Sequence, residues 1–196
     1  APPMLEGCCG AIVAGGKSVR MGRDKAFLPF RGSTLIESQI ALFRRLFAEV
    51  LISANDTAKF AHLGLPVHAD RLPGGASLLG IHTMVVEGPS DWVFTAACDM
   101  PFLDEGFILH LAGLREGVDA VVPWFEGYPE PLHAFYHRRC ACAIEEQWRT
   151  GDLKIARFYD RVRVARFELD GSAWAERGAR SLVNVNTPDE LARYQV

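Results

Sequence analysis

The sequence predicts an α/β fold in which a mostly parallel sheet lies between two layers of helices. Short apolar runs such as 10–14 and 92–97 stop abruptly at Gly15-Gly16 and at Cys98-Asp99, as strands buried on both faces do. Between such runs lie stretches with apolar residues at helical spacing, of which Ile36, Ile40, Phe43 and Phe47 are the clearest. The two patterns alternate along the chain without an internal repeat or linker composition. That alternation places helices on both faces of one sheet.

Taken in order, residues 10–14 form the first strand. Thr34 and Glu37 then make a capping-box pair that starts a helix through Phe47. Strands follow at 50–53 and 67–69, then a helix over 78–86 with Ser77 as its N-cap. After the strand 92–97, Asp104 caps a helix carrying Phe107, Ile108, Leu111 and Leu114. Strands at 120–122 and 132–136 flank the turn-rich EGYPEP. Helices over 138–148 and 153–159 precede a partly exposed strand at 162–169. Near the end, Thr187 as N-cap, Pro188 at the first helical position and Glu190 at the third mark a last helix.

Composition excludes several classes. The 196 residues carry 49% apolar and 23% charged side chains, ordinary for one globular domain with a real core. A net charge of −3 lacks the basic footprint of a nucleic-acid binder. No run of eighteen apolar residues occurs, so no membrane partner is expected. APPMLEGCCG does not read as a signal peptide, so a cytoplasmic location is expected. Five cysteines without a C-x-x-C spacing give no disulfide framework. His133, His137, Cys140 and Cys142 cluster in sequence, yet they read as one strand and the following helix rather than a zinc site.

The chemistry begins at VAGGKSVRMGRDKA, residues 13–26. Gly16-Lys17-Ser18 invites a P-loop reading, but the glycine required five positions earlier is Ala11. The dinucleotide pattern G-x-G-x-x-G fails too, since no glycine lies between Gly16 and Gly22. The stretch still suits an anion. Its glycines let backbone N–H groups approach phosphate, and Lys17, Arg20, Arg23 and Lys25 supply charge-assisted hydrogen bonds. Asp99 follows a strand directly, at the sheet edge where ligands bind, and a carboxylate there can hold Mg²⁺ beside substrate phosphates. Asp70 follows the third strand at the same edge. Each of these has a plain alternative as a turn or loop residue.

Together the motifs narrow the choice. Residues 13–25, Cys98-Asp99-Met100-Pro101 and Asn184-Val185-Asn186-Thr187-Pro188 resemble, in type and spacing, the signature of the molybdenum cofactor guanylyltransferases, the MobA family. The resemblance spans nearly the whole chain. It implies a Rossmann-like, nucleotide-diphospho-sugar-transferase-like α/β/α domain over 1–196, with a GTP- and Mg-binding part at about 8–110 and a molybdopterin side at 111–196. It implies transfer of GMP from Mg-GTP to molybdopterin, with release of pyrophosphate. The backbone at Val13, Ala14, Gly15 and Gly16 would hold the nucleotide, with Lys25 and Arg20 on its phosphates. Asn55 and Asp70 would line the nucleoside pocket, Asp99 would ligate Mg²⁺, and Asn184 and Asn186 would face molybdopterin. A GTP-binding accessory protein and apo-molybdoenzymes are the partners it implies.

Ala14-Gly15-Gly16 resembles the GTP-using form of the loop, whereas related cytidylyltransferases usually carry Ala-Ala-Gly. One segment departs from the family, Ala76-Ser77-Leu78-Leu79-Gly80 standing where Gly-Pro-Leu-small-Gly is usual. The alternatives are cytidylyl transfer to molybdopterin, nucleotidyl transfer to a sugar or alcohol phosphate, and a non-catalytic nucleotide-binding protein on the same fold. Trp124, Phe125 and Tyr128 read as a packed loop in preference to a pterin platform.

Overall fold

The computed structural model describes residues 3–14 and 25–194. Strand β1 (Cys8–Val13) is buried at every position and is an interior strand of the sheet. Its apolar side chains alternate between the two faces, because successive strand residues point in opposite directions. Cys8 and Ile12 join one core with helices α1 (Leu35–Leu46) and α3 (Glu105–Ala112). Cys9 and Ala11 join the other with α2 (Ser77–Glu87), α4 (Cys140–Arg149) and α5 (Ile155–Tyr159).

The remaining strands are β2 (Pro29–Phe30), β3 (Ser33–Thr34), β4 (Val50–Ser53), β5 (Val67–His68), β6 (Trp92–Ala97), β7 (Ala120–Phe125), β8 (Tyr128–Pro129), β9 (His133–His137) and β10 (Val164–Glu168). The main sheet runs β10-β7-β9-β6-β1-β4-β5, with β8 paired to β7. All neighbours of β1 and β4 are parallel. Strand β9 is antiparallel to both β6 and β7. The sheet is therefore mixed but mostly parallel, and helices flank it on both sides. From β1 the chain moves outward to β4 and β5, then returns to β6 on the opposite side of β1. That reversal opens a crevice beyond Val13 and Ala97, where ligands of open α/β sheets bind.

Local signals set most boundaries. Thr34 Oγ1 accepts from Glu37 N at 3.3 Å, and Asp104 Oδ1 accepts from Phe107 N at 2.8 Å. The N-cap of α2 is Ala76, not Ser77; Ser77 is the first helical residue, and no side-chain cap is made. Short α6 (Ala175–Ser181) lies between β10 and the final helix α7 (Pro188–Arg193). At α7, Thr187 Oγ1 accepts from Glu190 N as the capping pattern requires. The Glu190 carboxylate instead reaches one residue further back, to Asn186 N at 2.7 Å. A small third core of Leu28, Phe30, Leu35, Phe102, Val185 and Leu191 fastens this C-terminal segment beside the β2–β3 hairpin.

His133 lies fully buried between the Phe94 and Phe107 rings, with Nε2 at 2.7 Å from Ser181 Oγ. Burial holds its imidazole down to about 4, so it is neutral when folded. An unfolded histidine titrates near 6.5, so His133 contributes its stability above that pH, and the contribution is lost as pH falls toward 4. Unfolding by denaturant should therefore lose about 2 kcal/mol from this residue between pH 7.5 and pH 5. The check is His133→Gln, whose stability should be flatter across that interval by the same amount. An unchanged pH slope would contradict the assignment.

Candidate functional site

The crevice gathers residues from remote parts of the sequence. Ala14 N donates to Ser53 O at 2.8 Å and Cys98 N to Val13 O at 3.1 Å, which fixes the ends of β1, β4 and β6 side by side. Lys25 opens a short 3₁₀ turn through Phe27, whose Ala26 is fully buried. From there its Nζ donates to Asn186 Oδ1 at 2.5 Å and stands 4.0 Å from Asp99 Oδ2. Val185 N in turn donates to the Asp99 carbonyl at 2.9 Å. A lysine, a carboxylate and an asparagine thus meet at one point at the carboxyl edge of the sheet.

Asp99 occupies an unusual environment for a carboxylate. Burial raises its pKa, opposed by the nearby Lys25 ammonium. Its Oδ1 is shielded from solvent and has no hydrogen-bond partner among the described residues. Burying an acceptor without a donor is costly, and a cation restores what is missing. A hard divalent ion that keeps most of its coordination for water and phosphate fits this lone carboxylate.

A second polar pair lies across β1. Asp70 N donates to Asn55 Oδ1 at 2.9 Å, and Asn55 Nδ2 approaches Asp70 Oδ2 at 3.4 Å. Burial raises the Asp70 pKa, while the Asn55 contact and His82 act the other way. Gly80 of α2 borders this pair. A Cβ there would stand 3.3 Å from Ser53 Oγ, 3.6 Å from Val13 Cγ1 and 4.0 Å from Asp70 Oδ1. Asn184 is exposed beside Val185. Gly15, Gly16 and Arg20 lie outside the described residues.

The edge therefore carries Lys25, Asp99 and Asn186 within reach of one another, with the Asn55–Asp70 pair on the other side of β1. Residues 10–166 match the sequence profile of the MobA-like NTP transferase domain. The chain belongs to that family.

Relatives agree along nearly the full length. A protein of Pelotomaculum thermopropionicum named "Probable molybdenum cofactor guanylyltransferase" is 34% identical over 95% of this chain and 91% of its own. The "Molybdenum cofactor guanylyltransferase" of Desulfosudis oleivorans is 30% identical over 96% and 95%. Among solved structures, molybdopterin-guanine dinucleotide biosynthesis protein A from Archaeoglobus fulgidus superposes with a TM-score of 0.78 at 28% identity, covering 94% of this chain and 95% of that one.

Within the family, the departure at residues 76–80 can now be located. Leu79 is fully buried, and its Cδ1, like Leu153 Cδ1, lies 2.8 Å from where a Cβ on Gly74 would stand. Its extra bulk fills the packing between α2 and the loop ahead of α5. It is Gly80, with no side chain, that borders Asp70.

The aromatic group is not a packed loop. Trp124 is buried in β7 against the Tyr159 ring and beneath the Arg166 guanidinium, and Tyr128 is 74% exposed in β8. His133 and Cys140 fall on opposite faces of the sheet: His133 packs against Phe107 of α3, and Cys140 in α4 donates from Sγ to Asp119 O. Gln39 went unnoticed in the sequence, yet its amide touches the Asp99-bearing turn. The available signal was a polar residue on the otherwise apolar face of α1, between Ile36 and Phe43.

Proposed function

We propose that this chain is a molybdenum cofactor guanylyltransferase, joining GMP from Mg-GTP to the terminal phosphate of molybdopterin and releasing pyrophosphate. The observation that carries the reading is the meeting of Lys25, Asp99 and Asn186 at the crevice, where three separate sequence motifs come within reach of one another. The family and the names of the full-length relatives support it.

The acceptor is a phosphate monoester, ionised at neutral pH, so the chain has little need of a strong general base. Its oxygen forms a bond to the α-phosphorus of GTP as the bond to the departing pyrophosphate breaks. The difficulty is electrostatic, because two polyanions must be held in line. Lys25 would neutralise phosphate oxygens, and Arg20 and the backbone of Val13, Ala14, Gly15 and Gly16 would act on the same group. Asp99 would hold Mg²⁺, which when bound supplies Lewis-acid stabilisation of charge on the phosphates. Asn55 and Asp70 would bind the nucleoside, which assigns that side of the crevice to the donor. Asn184 and Asn186 would hold molybdopterin, with Asn186 released from Lys25 or shared between it and the substrate. A GTP-binding accessory protein and apo-molybdoenzymes are the partners such an enzyme would serve.

The test is Mg²⁺-dependent pyrophosphate release with purified molybdopterin, comparing GTP, CTP, ATP and UTP. Turnover with GTP alone is expected. Turnover with CTP would replace guanylyl by cytidylyl transfer, and nucleotide binding without pyrophosphate release would favour a non-catalytic role.

A further inference from the structure

We propose that Gln39 is a positioning residue for the Asp99 carboxylate. The inference rests on the reading of Asp99 as the metal-holding group. Asp99 is the third residue of the turn Ala97–Met100, whose own backbone closure, Met100 N to Ala97 O, is long at 3.4 Å. Gln39 spans that turn from outside. Its Nε2 donates to Ala97 O at 2.7 Å and to Met100 O at 3.0 Å, so one side-chain amide clips the carbonyls at both ends.

The chemistry is selective for glutamine. Two hydrogens on one neutral atom serve two carbonyls, which an ionised glutamate cannot do and a lysine could do only by burying a charge. Gln39 is 3% exposed, and its Oε1 is buried with no partner among the described residues. An apolar side chain would avoid that unsatisfied acceptor, so helix packing alone does not account for glutamine here. With Val13 O receiving Cys98 N and Val185 N donating to Asp99 O, the turn is held from β1, from α1 and from the segment before α7. Groups that orient a metal-binding carboxylate set the affinity of the site without touching the ion.

The experiment is a Mn²⁺ titration of the full chain with GTP, read by electron paramagnetic resonance, beside GTP binding in EDTA. Gln39→Met keeps the length and removes both donors. It should weaken Mn²⁺ about tenfold, the effect typical of losing an orienting partner, and leave metal-free GTP binding unchanged. The Mg²⁺ concentration for half-maximal turnover should rise in parallel, with kcat at saturating Mg²⁺ largely retained. Gln39→Leu, apolar and of similar volume, carries the same test if the methionine variant does not fold. Unaltered Mn²⁺ affinity, or an equal loss of Mn²⁺ and metal-free GTP binding, would overturn the proposal. Asp99→Asn separates the two claims: if it binds Mn²⁺ as the parent does, the assignment of Asp99 fails, whatever Gln39 does.

Discussion

Asp99→Asn is expected to lower turnover about a thousandfold or more while the protein stays folded. The substitution keeps shape and hydrogen-bonding reach, so the turn held by Cys98 N, Val185 N and Gln39 survives. What goes is the negative charge that would bind the ion. Metal stabilisation of phosphoryl transfer is worth several kcal/mol, hence the size of the loss. Folding argues the same way, because a buried carboxylate with an orphaned oxygen and a raised pKa is a burden that the amide relieves. The variant should therefore unfold at the same temperature as the parent or higher, a separation of stability from activity expected of a functional group. Steady-state pyrophosphate release and a thermal melt on one preparation decide it. Robust Mg²⁺-dependent activity in the variant would remove Asp99 from the mechanism.

Gly10→Ala is expected to cost about 3 kcal/mol and to lower the melting temperature by about 10 °C. Gly10 sits mid-strand in β1, and it has no left-handed backbone that would require glycine. The requirement is space. A Cβ there would meet Phe47 Cδ2 at 2.4 Å and Phe43 Cδ2 at 2.7 Å. Those rings pack edge-on at 5.2 Å and both contact Phe94, so neither can yield without disturbing the other. A methyl in a strand would ordinarily recover about 0.5–1 kcal/mol of backbone entropy, which the clash outweighs. Shortening Phe47 to leucine in the same chain should recover part of the loss. Simple additivity of the two changes would show that the rings are not the obstacle.

Long elements with a strong period were legible in the sequence. The strand at 50–53 and the strand at 92–97 stand where the apolar runs placed them, and Thr34, Asp104 and Thr187 cap the helices they were read to cap. The β2–β3 hairpin was not legible. Its two-residue turn puts both Arg31 and Gly32 at positive φ, a conformation usually announced by Asn-Gly or Asp-Gly. Helix α6 escaped because its N-cap, Trp174, makes no side-chain cap and the helix is only seven residues long. The reversed direction of β9 has no local signature, since an antiparallel strand carries the same apolar pattern as a parallel one. In the candidate site, residue types and motif spacing pointed to the same edge of the sheet. The contact between Lys25 and Asn186 spans 161 positions, and only the topology brings the two together.

The hydrogen bond from Val185 N to Asp99 O has a thermodynamic consequence for an enzyme with two substrates. It ties the turn assigned to the donor nucleotide to the segment assigned to the acceptor, and Lys25 crosses the same boundary by way of Asn186. Under those assignments, an acceptor that steadies residues 184–186 also steadies the Asp99 turn. Linkage then makes the effect reciprocal: whatever factor molybdopterin contributes to the affinity for Mg-GTP, Mg-GTP returns to molybdopterin. Donor and acceptor bound where they are assigned would thus be coupled through these two contacts, one of backbone and one of side chains.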